Sequence, residues 1–331
     1  MKTILLAVGG NSLIRAGEKG TITEQLSNAR RTAREIVSLI RDGYRIVLTH
    51  GNGPQVGAAL LRSEAGATQV PGLPLDVCDA CTQGEIGYIL GQALEGELRS
   101  AGASVPVITV LTQSVISLDD PAMKHPTKPV GPFYSREEAL ARQRQLGWEI
   151  VEDAARGYRR VVPSPEPIEI VELEVIRELV DHGVLVIACG GGGIPVARQG
   201  QQPVGVEAVI DKDRASALLA SRLGTDLFVI STDTDFVYLD YKKPTQRPLH
   251  QVRASELDRY LAAGHFAAGS MRPKVESVLR FLRAGGKQAI IASAENLGRA
   301  VAGGAGTHVF PDDTTLEAES GTQIAFPAGG R

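Results

Sequence analysis

The 331-residue chain is poor in cysteine, with three, and in aromatic side chains, at 5% including a single tryptophan. Three cysteines in so long a chain do not make a disulfide framework. No apolar stretch approaches the roughly 20 residues that a membrane-spanning helix needs. The N-terminus passes straight into a short apolar strand, without an h-region and small-residue cleavage site, so a cytoplasmic protein is expected. Charge of one sign is also lacking: 35 Lys and Arg face 38 Asp and Glu, a formal net charge of -3. A mildly acidic surface with no basic run excludes nucleic acid and anionic membrane as main partners.

Several chemical signatures are missing too. Gly286-Lys287 is followed by Gln288, so there is no P-loop. No Gly-x-Ser-x-Gly elbow supports a serine nucleophile. Cys78 and Cys81 form one Cys-x-x-Cys with no second ligand pair, so a zinc site is not expected and the cysteines are assigned to packing. The six histidines lack ligand spacing, His50 being expected to make a local structural hydrogen bond. No residue is assigned as a metal ligand, and no internal repeat is found.

What is present is an alternation of apolar strands and amphipathic helices. Strands are expected at 4–8, 45–49, 105–111, 184–189, 227–231 and 288–292. Helices are expected at 23–42, 83–101, 167–182, 211–223, 254–263 and 271–284. Short, wholly apolar strands between helices predict an α/β fold with a mainly parallel open sheet covered on both faces. Helices that stop at Gly43, Gly183 and Gly224 fit the left-handed residue that commonly follows a helix. Residues 118–165, rich in proline and charge and holding Trp148, break the rhythm and suggest a small subdomain or lid. Residues 311–331 are polar and are expected to form a last strand pair or a tail.

Four strand ends carry unusual loops: Gly9-Gly10-Asn11-Ser12, Gly51-Asn52-Gly53-Pro54, Gly190-Gly191-Gly192-Gly193 and Thr232-Asp233-Thr234-Asp235. One glycine-rich turn is commonly no more than a tight connection. Several at the carboxyl ends of parallel strands, where ligands of such sheets bind, point to a phosphate-rich ligand. A dinucleotide reading of 51–57 is weaker, because no ribose-binding acid ends the next strand. Lys212 and Lys274 stand at helix starts, where the dipole disfavours a cation, and Lys128 lies in the 118–165 excursion. Phosphoryl transfer calls for cations placed in this way rather than a covalent nucleophile. Asp211 and Asp213 flank Lys212, placed to orient it or to hold a metal.

These motifs, with Thr82-Gln83-Gly84-Glu85-Ile86-Gly87-Tyr88, Pro126-Thr127-Lys128-Pro129-Val130-Gly131-Pro132 and Val162-Pro163-Ser164-Pro165, resemble carbamate kinases of the amino-acid kinase superfamily. The resemblance is colinear from the first strand to about Gly306. It implies one domain, 1–331, built as a three-layer αβα sandwich with 118–165 protruding, and a homodimer. It also implies reversible phosphoryl transfer between ATP and carbamate with Mg2+, used to make ATP from carbamoyl phosphate during arginine catabolism. By the same resemblance Lys212, Asp211 and Lys128 are catalytic, and Gly9, Gly10, Asn11, Gly51, Asn52 and Gly53 bind the small substrate. Lys274, Thr232, Asp233, Tyr238 and Met271 are implied to border the nucleotide. Arg272 stands where the family usually has glycine, Ser12 where alanine is common, and the chain runs on past about Pro311. The alternatives are a kinase for another small carboxylate or phosphate, or a non-catalytic nucleotide-binding regulator.

Overall fold

A computed structural model describes residues 1–9, 13–15, 17–152, 157–267 and 269–314. Eight strands form the central sheet: β1 (Thr3–Val8), β2 (Arg45–His50), β3 (Val107–Thr109), β4 (Leu185–Ile187), β5 (Leu227–Thr232), β6 (Gln251–Arg253), β7 (Gln288–Ser293) and β8 (Thr307–Phe310). Their spatial order is β6-β8-β7-β5-β1-β2-β4-β3. Every neighbouring pair is parallel except β7 with β8.

Alternate residues of each strand go to opposite faces, so each face has its own core. Leu5, Ala7, Val47, Phe228, Ile230 and Ile291 pack on one side against α5 (Leu173–Asp181), α6 (Lys212–Leu223), α7 (Ala254–Ala262) and α8 (Met271–Arg283). Ile4, Leu6, Leu48, Val229 and Ile290 pack on the other against α1 (Ile22–Arg41), α3 (Leu75–Ser100) and α9 (Leu297–Val301). This is the three-layer sandwich. Helix α1 starts at a Thr21/Glu24 capping box, and Gly43, Gly183 and Gly224 all have positive φ, as their places after helices require.

The structure departs from the sequence reading in three places. A helix not expected between 49 and 83 is present: α2 (Gly53–Gly66) begins within the second glycine-rich loop with Pro54 in its first turn, where proline's missing N–H costs nothing. Helix α3 starts eight residues before the expected 83, and its Gly87 lies so close to Thr109 that a Cβ there would sit 2.3 Å from Thr109 Cγ2. Helix α5 is shorter than 167–182 because Glu169–Ile170 pairs instead with Gln113–Val115. These last join Ile194–Gln199 and Gln202–Gly205 in a second, four-stranded sheet.

Within 118–165, strands Lys128–Tyr134, Tyr158–Val162 and Glu149–Glu152 make a separate antiparallel sheet beside α4 (Arg136–Leu146). Arg142 lies 4.3 Å above the Tyr134 ring and Arg160 lies 4.9 Å above Trp148, so cation–π contacts fill this small core. The unit meets the main body through α2, where a Cβ on Gly57 would lie 3.1 Å from Gly131 Cα. Of the expected tail, 315–331 lies outside the described residues.

Phe281 on α8 is 1% exposed and meets Phe228 of β5 edge-on, ring centroids 5.5 Å apart. Phe281→Ala should therefore cost about 3–5 kcal/mol, read as a lowered urea midpoint; an unchanged midpoint would show that α8 does not anchor this face.

Candidate active site

The carboxyl ends of β1, β2 and β5 and the N-termini of α2, α6 and α8 enclose a cleft of about 350 Å³. Helix α6 begins with Asp211 as its N-cap, whose Oδ1 accepts from the Asp213 N–H at 2.9 Å. Its Oδ2 accepts from Lys128 Nζ at 2.8 Å, so the cap also receives the lysine of the 118–165 unit. Asp213, in the first turn, accepts from Lys212 Nζ at 2.6 Å through Oδ1 and from Lys274 Nζ at 2.9 Å through Oδ2. Ser216 donates to the Lys212 carbonyl and shares a 2.7 Å hydrogen bond with Thr49 of β2, tying this turn to the sheet. Asp233, which also borders the cleft, is a third carboxylate beside the three lysines and acts on Lys274 through its charge.

Burial sets the electrostatics. It would raise the Asp213 carboxyl, yet the two ammonium groups beside it hold it well below the usual carboxylate range. Burial pulls Lys212 down, against the opposing pull of Asp213 and with help from Lys274. For Lys274 burial also acts downward, but Asp213 wins and the lysine is raised. Burial pushes Asp211 up most strongly, but the charge and hydrogen bond of Lys128 together with the charge of Lys212 bring it below its ordinary value.

Of the residues singled out from sequence, Lys212, Asp211, Lys128, Lys274, Gly9, Gly51, Asn52, Gly53, Thr232 and Asp233 all border this one cleft. Tyr238 and Met271 line an adjoining cavity of about 560 Å³ that shares Thr232, Asp233 and Ser270 with it. Gly10 and Asn11 lie outside the described residues. Arg272 does not border the cleft: its Nε pairs with Glu276 at 2.8 Å along the half-exposed face of α8. Among the described residues no cluster of three or more His, Cys, Asp or Glu could hold a metal.

Three features escaped the sequence reading. The four-glycine loop is a steric requirement as well as an anion-binding motif. A Cβ at Gly190 would lie 2.4 Å from His50 Nε2, at Gly191 2.3 Å from Asn52 Nδ2, and at Gly193 2.1 Å from Ser114 Oγ. Gly191, Gly192 and Gly193 also have φ between 68° and 105°, which side chains rarely adopt. Asp213, considered as a partner of Lys212 or a metal holder, in fact holds both Lys212 and Lys274. Asp79, hidden in the Cys-x-x-Cys taken as packing, is 2% exposed and hydrogen-bonded to Asn52. Cys78 is buried as expected, but Cys81 is exposed, so on α3 only one of the two belongs to the core. His50 makes its local contact, Nδ1 to the Gly51 carbonyl at 3.2 Å, and burial pushes it down to about 4, so it is neutral.

Comparison with known proteins identifies the family. Residues 2–293 match the model of the amino acid kinase family. A carbamate kinase of Thermococcus kodakarensis is 49% identical over 93% of this chain and 99% of its own length. One of Pyrococcus furiosus is 48% identical over 94% and 99%. Among solved structures, carbamate kinase from Giardia lamblia bound to AMP-PNP superposes with a TM-score of 0.89 at 44% identity, covering 94% of this chain and 99% of that one. The chain belongs to the amino acid kinase family and, within it, to the carbamate kinases.

Asp79 gives a test of the buried site. Desolvation raises its carboxyl from 3.8 to about 7, against the hydrogen bond from Asn52 and with a smaller push from Asp76. Between those values the unfolded chain has lost a proton that the folded chain keeps, so stability falls as pH rises and stays low above about 7. The displacement corresponds to on the order of 4 kcal/mol. Asp79→Asn should match the parent protein near pH 4 and exceed it in thermal midpoint at pH 8. Parallel pH curves for the two would rule this titration out.

Proposed function

We propose that this chain catalyses reversible phosphoryl transfer between ATP and carbamate, giving carbamoyl phosphate and ADP. The observation that carries the reading is the convergence of Lys212, Lys274 and Lys128 on one cleft, two of them paired to a single buried carboxylate. A carbamate oxygen attacks the γ-phosphorus, the bond from that phosphorus to the β,γ-bridging oxygen breaks, and ADP departs with the electron pair. Carbamate arrives as an anion, so no general base has to remove a proton.

In this reading Lys212 faces the equatorial oxygens of the phosphoryl group, where a buried cation acts more strongly than in water. Asp213 keeps both Nζ atoms in place. Lys274 neutralises the nucleotide phosphates, and Asp211 orients Lys128. The first-turn amides of α2 with Gly51, Asn52 and Gly53, and Gly9 with Gly10 and Asn11, hold the acceptor. The adjoining cavity, with Thr232, Asp233, Tyr238 and Met271, takes the nucleoside. What supports that last placement is its continuity with the lysine cleft.

Mg2+ belongs to the reading as a companion of the nucleotide. Asp211 and Asp213 are both engaged by lysines, and Asp233 is a third cleft carboxylate, close enough to Lys274 to act on its charge. That set fits an ion held mainly by phosphate oxygens and water, and when bound it would neutralise phosphate charge. Residues 118–165 serve as a lid that brings Lys128, within a single domain spanning 1–331. The working direction is ATP formation, in a cytoplasmic homodimer. Light scattering in solution should then give twice the 35.1 kDa chain mass; a monomer would remove the dimer from the reading.

A coupled assay of ATP formed from ADP and carbamoyl phosphate with Mg2+ tests the activity directly, and absence of turnover would sink it. Lys212→Ala should lower kcat about 10²–10³-fold with the far-UV circular dichroism unchanged. A rate equal to that of the parent protein would show that Lys212 does not face the transferred group.

A further inference from the structure

Asn52 occupies the N-cap position of α2, where an asparagine side chain ordinarily accepts a hydrogen bond from its own helix's first turn. Here it makes no such bond. Its Nδ2 is turned instead into the protein, donating to Asp79 Oδ1 and, at 2.8 Å, to Thr82 Oγ1. The Thr82 hydroxyl spends its own hydrogen on the Asp79 carbonyl at 2.7 Å, so towards Asn52 it can only accept. That fixes which end of the amide is nitrogen. Asp79 and Thr82 are themselves 2% and 0% exposed, and Gly191 leaves room for the amide, since a Cβ there would lie 2.3 Å from Asn52 Nδ2. The Asn52 carbonyl oxygen, on the opposite side of the amide, takes no hydrogen bond among the described residues, and Asn52 borders the cleft.

We propose that Asp79 is a positioning residue for the acceptor site: with Thr82 it locks the Asn52 amide nitrogen inward, so that the Asn52 carbonyl oxygen faces the cleft and accepts a hydrogen bond from the amino group of carbamate. The inference rests on the carbamate reading above and names what selects that substrate. A methyl group at the same place, as in acetate, has no hydrogen to give and leaves a buried acceptor unpaired, the situation in which sites discriminate well. A carboxyl buried beside a substrate cleft at a cost in stability fits a functional part better than a packing one.

The test compares kcat/KM for carbamoyl phosphate and for acetyl phosphate, each with ADP and Mg2+, in the parent enzyme, Asp79→Ala, Thr82→Val and Asp79→Asn. Loss of either inward acceptor frees the amide to turn, so the carbamoyl-to-acetyl ratio should fall about tenfold or more in Asp79→Ala and in the same sense in Thr82→Val. The KM for carbamoyl phosphate should rise while that for ADP stays put. Asp79→Asn, whose amide oxygen can accept from Asn52, should restore most of the ratio. Thr82→Val keeps the test open should Asp79→Ala not fold. An unchanged ratio in the folded variants, or KM values for ADP and carbamoyl phosphate that rise together, would overturn the positioning role. A parent enzyme that turns over neither carbamoyl nor acetyl phosphate overturns the carbamate reading itself, which separates the two failures.

Discussion

A single buried carboxylate, Asp213, governs the cleft. It sits between two lysines from different helices, 2.6 Å from one and 2.9 Å from the other. Two ammonium groups held in a protein interior repel each other and lose hydration. Asp213 makes their proximity tolerable, and in doing so fixes how α6 and α8 approach. The helices must therefore be set by the sheet before the charges can be, which is why Thr49, Ser216 and the apolar faces of both helices belong to the same argument.

The sheet and most of its helices were legible in the sequence because their signals are local. Wholly apolar strands such as residues 4–8 and 227–231, and helices ending at Gly43 or Gly224, announce themselves through period and punctuation. Helix α2 was obscured because Gly53 and Pro54 look like loop residues although both suit a helix's first turn. Helix α3 was begun late in the reading because its true start, after Pro74, carries no side-chain cap to mark it, and its first two turns hold the Cys-x-x-Cys that was read apart. The pairing of Glu169–Ile170 with Gln113–Val115 joins segments far apart in the chain, and no local pattern carries it.

At the site the lysines were found for a sound reason: a cation at a helix start opposes the dipole and asks for an explanation. Asp79 offered no such contradiction. An aspartate within a helix, between two cysteines, looks like a solvated residue until α3 is seen packed under the glycine loop. The same holds for Gly190 to Gly193, whose run suggested anion binding but whose tightest constraints come from His50, Asn52 and Ser114. Arg272, conspicuous as a departure from the family pattern, turns along α8 to Glu276 and leaves the cleft to Lys274.

The pair between Lys128 and Asp211 has a consequence for turnover. On the proposed function, Asp211 acts as a placeholder, giving Lys128 an anion to hold when no phosphate is there. In that reading an incoming phosphate competes with the carboxylate for the same ammonium, so the net gain on binding is less than the whole of a new contact. The lysine is spared the cost of standing unpaired, and the departing product hands it back to a waiting partner. A site made this way grips its ligand loosely for the number of charges it carries, which suits a reaction that runs in both directions.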